Sequence, residues 1–109
     1  MNSDFTKRHA VFSAEEFPAL QDFLGAYFHE DFVDEYGSAE AATKQFCKDA
    51  AAEEVAQTRT EWHRLLAHLK GQPLAEWQSA LRKLGAAWQV ASEEDLMRVG
   101  DLLAKHAAK

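Results

Sequence analysis

The chain has little of what builds disulfide scaffolds, β-sandwiches or membrane spans. Its 109 residues include one cysteine, two prolines and five glycines. A lone Cys47 cannot close an internal disulfide, which argues against a stapled secreted scaffold and suits a reducing compartment. Lying mid-pattern in an expected helix, it reads as a small half-buried hydrophobe rather than a reactive thiol. So few glycines and prolines leave too little punctuation for the many tight turns of an all-β fold. Apolar runs stop after a few residues, far short of the roughly 20 needed to cross a bilayer, so no membrane association is expected. Lys7 and Arg8 lead into the polar-interrupted HAVFSAEE rather than an apolar stretch with a small-residue cleavage site, so export is not expected. A cytoplasmic location is the resulting expectation.

Basic residues are missing from one long stretch. Between Arg8 and Lys44 there is no Lys or Arg, while Glu15, Glu16, Asp22, Glu30, Asp31, Asp34, Glu35 and Glu40 all fall there. Residues 1–50 carry ten acids and four bases, and residues 51–109 carry eight of each, so the formal net charge of −6 arises entirely in the first half. Such a field repels phosphate backbones and attracts basic surfaces. Direct nucleic-acid binding is disfavoured and a cationic protein partner is favoured. A solvated acidic face that keeps a small protein soluble would account for the same imbalance.

The patterns that carry catalysis or metal binding are also missing. His29 and Glu30 could open a zinc-protease helix, but the second histidine would fall at Val33. His63 and His68 are five apart, about 140° around a helix, and do not share a face. One cysteine excludes thiolate-rich zinc sites. Serines stand at positions 3, 13, 38, 79 and 92 and glycines at 25, 37, 71, 85 and 100. None of them forms a nucleophile elbow or a phosphate-cradling loop. Paired carboxylates abound, but a small bundle has little room for the cleft that would hold two apart around a glycosidic bond. No enzymatic activity, cofactor or metal is expected.

What the chain does have is apolar content and helical period. Hydrophobic residues make up 47% and include seven Phe and three Trp, enough to offset chain entropy. At this length one domain spanning residues 1–109 is expected. Residues 1–13 show no period and read as an N-terminal arm, with Phe5, Val11 and Phe12 available to dock it. Ser13 and Glu16 have the spacing of a capping box, yet Pro18 would fall within that first turn, so the regular helix is expected to begin at Pro18. Leu20, Phe23, Leu24, Tyr27 and Phe28 then form an apolar stripe. The acidic segment 29–37 breaks the period and closes on Gly37, so it reads as a connection with at most a short turn.

Ser38 is the expected N-cap of a second helix, which carries Glu40 in its first turn and buries Ala42, Phe46 and Ala50. Nothing punctuates residues 38–70, but one helix of that length would outgrow so small a domain. A break is therefore expected between Asp49 and Ala52. Val55, Trp62, Leu66 and Leu69 mark a third helix stopped by Gly71 and Pro73. Pro73 starts a fourth with Leu74, Trp77, Leu81 and Leu84 on its inner face. Trp88 and Val90 bridge to Ser92, the expected cap of a last helix that buries Leu96, Val99 and Leu103. Lys105 and Lys109 suit its negative end. The sum is an all-α bundle of four to five short antiparallel helices.

The aromatics Tyr27, Phe28, Phe32 and Tyr36 interleave with Glu30, Asp31, Asp34 and Glu35. Either the rings are core and the acids simply face water, or acids steer a partner while an aromatic anchors the contact. The run FPALQDFLGAYFHEDFVDEYGSAEAATKQF resembles the N-terminal half of the small helical immunity proteins of bacterial contact-dependent growth inhibition systems. Tyr27, Phe28, His29 and Asp31 match that family's Tyr-Phe-His-x-Asp core, and Tyr36, Gly37 and Ser38 follow in order. Phe32 stands where the family usually has Trp, which leaves open whether position 32 is interface or core. The segment Glu61 to Leu66 and the turn Leu84-Gly85-Ala86-Ala87-Trp88 continue the resemblance, which covers roughly residues 17–103.

The resemblance implies a cytosolic protein that binds and neutralises the C-terminal toxin domain of a matching surface-delivered effector, commonly a basic nuclease. Glu30, Asp31, Asp34, Glu35 and Tyr36 are the expected toxin contacts. His29 and Asp31 either take part or hold each other or the helix end. The rival expectation is a non-enzymatic helical adaptor or regulatory protein that binds another basic partner.

Overall fold

The computed structural model describes residues 13–107, and among them every regular element is helical. A 3-10 turn at Ala14–Glu16 precedes six α-helices: α1 (Pro18–Tyr27), α2 (Phe32–Tyr36), α3 (Ala39–Asp49), α4 (Ala52–Leu69), α5 (Leu74–Lys83) and α6 (Glu93–Ala107). The expected arm lies outside the described residues apart from Ser13, as does Lys109. No described helix is long and apolar enough to cross a membrane.

The expected count of four to five helices becomes six because α2 forms within the acidic segment 29–37. Phe32 drives that turn. It is 6% exposed and packs against Phe28 with ring centroids 5.1 Å apart, so position 32 belongs to the core. Gly37 ends α2 with a φ of +94°, a conformation that glycine adopts without a Cβ penalty.

Helix α1 starts at Pro18, which needs no acceptor for an N–H it lacks, and buries Leu20, Phe23 and Leu24, with Phe28 next to its end. Ser13 makes no side-chain cap. Instead, the free first turn of α1 is met from another helix. Leu20 N–H donates to Glu61 Oε1 of α4 at 3.0 Å, and Gln57 Nε2 donates to the other carboxylate oxygen at 2.9 Å. Glu61 is 1% exposed, so its two oxygens replace lost water with protein donors.

Ser38 caps α3 as expected, its Oγ accepting from Ala41 N–H at 3.1 Å. The break falls within the expected Asp49–Ala52 interval: α3 ends at Asp49, Ala50 and Ala51 are extended, and α4 begins at Ala52. Helix α4 buries Val55, Thr58, Trp62, Leu65 and Leu69. The expected Leu66 is only half-buried; successive steps of three and four residues from Val55 put Leu65, not Leu66, on the inner row.

The α4–α6 interface is the most extensive in the fold, followed by α3–α6 and α1–α4. Leu96, Val99 and Leu103 are buried on α6 as expected. Trp62 crosses this interface and donates its indole N–H to Leu96 O at 3.1 Å. Gly100 lets the helices meet there: a Cβ at this position would lie 2.9 Å from Trp62 Cδ1. Trp62 is fully buried and tethered, so it cannot yield easily. Gly100→Ala is therefore expected to cost about 1–2 kcal/mol, overpacking outweighing the better helix propensity of alanine. Chemical denaturation would measure it, and a stabilised variant would contradict the packing account.

Helix α5 begins one residue after the expected Pro73, which serves as its cap position. It ends in a reciprocal pair of backbone bonds, Ala86 N–H to Leu81 O and Gly85 N–H to Arg82 O, both 3.0 Å. Gly85 takes the left-handed conformation this motif requires, at a φ of +98°. The chain that follows is tied to the end of α1 by Ala87 N–H donating to Phe28 O at 2.7 Å.

Candidate protein-binding surface

The end of α1, all of α2 and the segment after α5 are assembled on a shared aromatic base. Phe28 contacts Phe23, Phe32 and Trp88 at centroid separations of 5.3, 5.1 and 5.1 Å. These rings bury apolar area and fix the backbone from which residues 29–36 project. Glu30, Asp31, Asp34 and Glu35 are all exposed on it, together with Val33.

His29 braces this strip. Its Nδ1 accepts the Asp31 backbone N–H at 3.1 Å, and its Nε2 lies 2.7 Å from Glu35 Oε1. An Nδ1 that accepts and an Nε2 that donates fit the neutral Nε2–H imidazole. Of the two roles open to His29 and Asp31, the geometry supports the structural one for His29: it holds the Asp31 backbone and the Glu35 carboxylate, and among the described residues the Asp31 carboxylate is unengaged. Among the described residues none of Glu30, Asp31, Asp34 and Glu35 pairs with Lys or Arg.

Tyr36 is half-buried rather than a free anchor. It stacks on Tyr27 with centroids 5.7 Å apart and planes 28° from parallel. Tyr27 in turn donates its hydroxyl to Asp49 Oδ2 at 2.8 Å, while Gln45 Nε2 donates to Asp49 Oδ1 at 2.9 Å. Burial, then the bond to the Asp49 carboxylate, pushes the Tyr27 hydroxyl pKa up to about 12. That of Tyr36 is raised as well, by burial first and then by the charges of Glu35 and Asp49. Both rings therefore stay neutral at ordinary pH and present hydroxyls beside acids. Sequence reasoning missed this Tyr27–Asp49–Gln45 cluster, because the spacing of 22 residues between tyrosine and carboxylate carries no local signal.

Cys47 is half-buried, and burial raises its thiol pKa, which leaves it a poor nucleophile. Among the described residues no cluster of three or more His, Cys, Asp or Glu side chains could hold a metal ion.

The arrangement is thus an exposed acidic strip on a rigid aromatic base, suited to docking a basic surface. A family model described as CdiI immunity protein matches residues 16–99, most of the chain. No curated protein and no solved structure matches it.

Proposed function

Because the chain belongs to the CdiI immunity-protein family, whose members bind and neutralise contact-dependent growth inhibition toxins, we propose that its own target is a basic, nuclease-type toxin domain met by the acidic strip. Four exposed carboxylates without a Lys or Arg partner among the described residues, held on a braced backbone, support this reading. Glu30, Asp31, Asp34 and Glu35 pair with the lysines and arginines that would otherwise hold nucleic-acid phosphates, and the Tyr36 edge supplies contact area beside them. Inhibition in this scheme is occlusion by charge and shape in the cytoplasm and needs no chemistry from the chain.

The direct test is to co-express this chain with the C-terminal toxin domain of its cognate effector, purify the pair and assay nuclease activity with and without the chain. A toxin domain that neither co-purifies nor loses activity would overturn the proposal. The electrostatic part has its own signature. Exposed charges are screened within about 8 Å at physiological salt, so the association rate is expected to fall about tenfold or more between 50 and 500 mM salt. Stopped-flow measurement of a salt-independent rate would remove steering from the mechanism.

A further inference from the structure

The acidic strip borders a cleft of about 560 Å³, open to solvent, that lies between the end of α1 and the segment after α5. His29 and Glu30 form one side, Arg82 and Gln78 belong to α5, and Trp88 lines the cleft between them. Trp88 differs from the other two tryptophans. Trp62 and Trp77 are 0% and 4% exposed, and each donates its indole N–H to a backbone carbonyl. Trp88 is half-buried, and among the described residues its indole N–H has no acceptor. Phe28 packs against its ring with centroids 5.1 Å apart and planes tilted by 38°. Trp88 also lines a second, smaller cleft of about 210 Å³ with Glu40 and Arg98, so it forms a wall between two recesses.

We propose that this Trp88 cleft is the anchoring pocket of the toxin interface and that it receives a lysine or arginine of the toxin. The stem of the incoming side chain lies along the indole, its cationic head sits over the ring, and Glu30 pairs with it from the adjacent rim. The inference rests on the proposed function and deepens it. Two observations and one general property of tryptophan favour this occupant. The cleft is continuous with the acidic strip through His29 and Glu30. Glu30 is exposed and has no ion-pair partner among the described residues. Trp is also the aromatic that best holds a cation, and the strongest contacts of protein interfaces gather around a fixed aromatic ringed by polar groups. Arg82 lines the same cleft from α5 and is opposite in charge to Glu30, so its reversal tests the sign of the occupant: a basic occupant gains from the change, whereas an acidic one loses.

The test uses the full chain labelled with 5-fluorotryptophan, titrated with the purified, unlabelled C-terminal toxin domain of the cognate effector. Trp88→Phe assigns the Trp88 resonance. On saturation that resonance is expected to shift strongly while those of Trp62 and Trp77 move little. Trp88→Ala is expected to weaken binding about 30-fold or more, and Glu30→Lys about tenfold. Arg82→Glu is expected to leave binding unchanged or tighter. If Trp88→Ala does not fold, the Trp88 resonance and the two exposed charge variants still decide. A complex in which the Trp88 signal stays put, or a tenfold loss on Arg82→Glu, would overturn the pocket while leaving the immunity reading intact. Absence of any complex would overturn both.

Discussion

Replacing Asp31, Asp34 and Glu35 together by lysine is expected to weaken toxin binding more than 100-fold and to abolish protection, while far-ultraviolet circular dichroism stays that of the parent. The three side chains are exposed, so none supports the core, and the His29–Glu35 contact that is lost is a surface pair of small worth. Against a basic partner the change acts twice, removing attraction and placing like charges face to face, and such juxtapositions cost several kcal/mol at an interface. The control is a second triple reversal at Glu15, Glu76 and Asp101, which are also exposed but lie on other elements. It changes net charge equally and is expected to reduce affinity only modestly. Isothermal titration calorimetry with the toxin domain would separate the two. Equal losses from both triples would mean that overall charge, and not the strip, governs recognition.

Much of this surface could be read in advance because it depends on local signals. The Leu20 to Phe28 stripe, the Ser38 cap and the break before Ala52 all follow from periods and capping chemistry that operate within a few residues. The exposure of Glu30, Asp31, Asp34 and Glu35 follows from the cost of burying a charge. What could not be read is long-range. Helix α2 exists because Phe32 finds Phe28, and five residues contain too few turns to show a period. The cleft beside Glu30 requires a chain segment more than 50 residues away, brought in by the Ala87–Phe28 bond. By spacing Trp88 reads as a bridge between helices, whereas the fold makes it a wall between two clefts.

Glu61 is the clearest case of a residue whose role only the fold discloses, and Glu61→Ala is expected to cost about 3 kcal/mol. By spacing it is one more acid on an amphipathic helix, yet it is 1% exposed and closes the first turn of α1. Truncation leaves the buried Leu20 N–H without its acceptor, while the exposed Gln57 amide turns to water, and a charge-assisted bond of the buried kind contributes about 1.5–3 kcal/mol before cavity costs are added. For a chain of this size that loss corresponds to a fall in Tm of roughly 15 °C, measurable by scanning calorimetry. Glu61→Gln should lose much less, because its carbonyl oxygen still accepts from Leu20 while Gln57 can turn its own oxygen toward the new amide. Binding discriminates further. Well below its Tm, Glu61→Ala is expected to bind the toxin domain within about threefold of the parent, since the carboxylate sits inside the fold and touches no partner. A variant that kept its Tm but lost affinity would place Glu61 at the interface and displace the present account of α1.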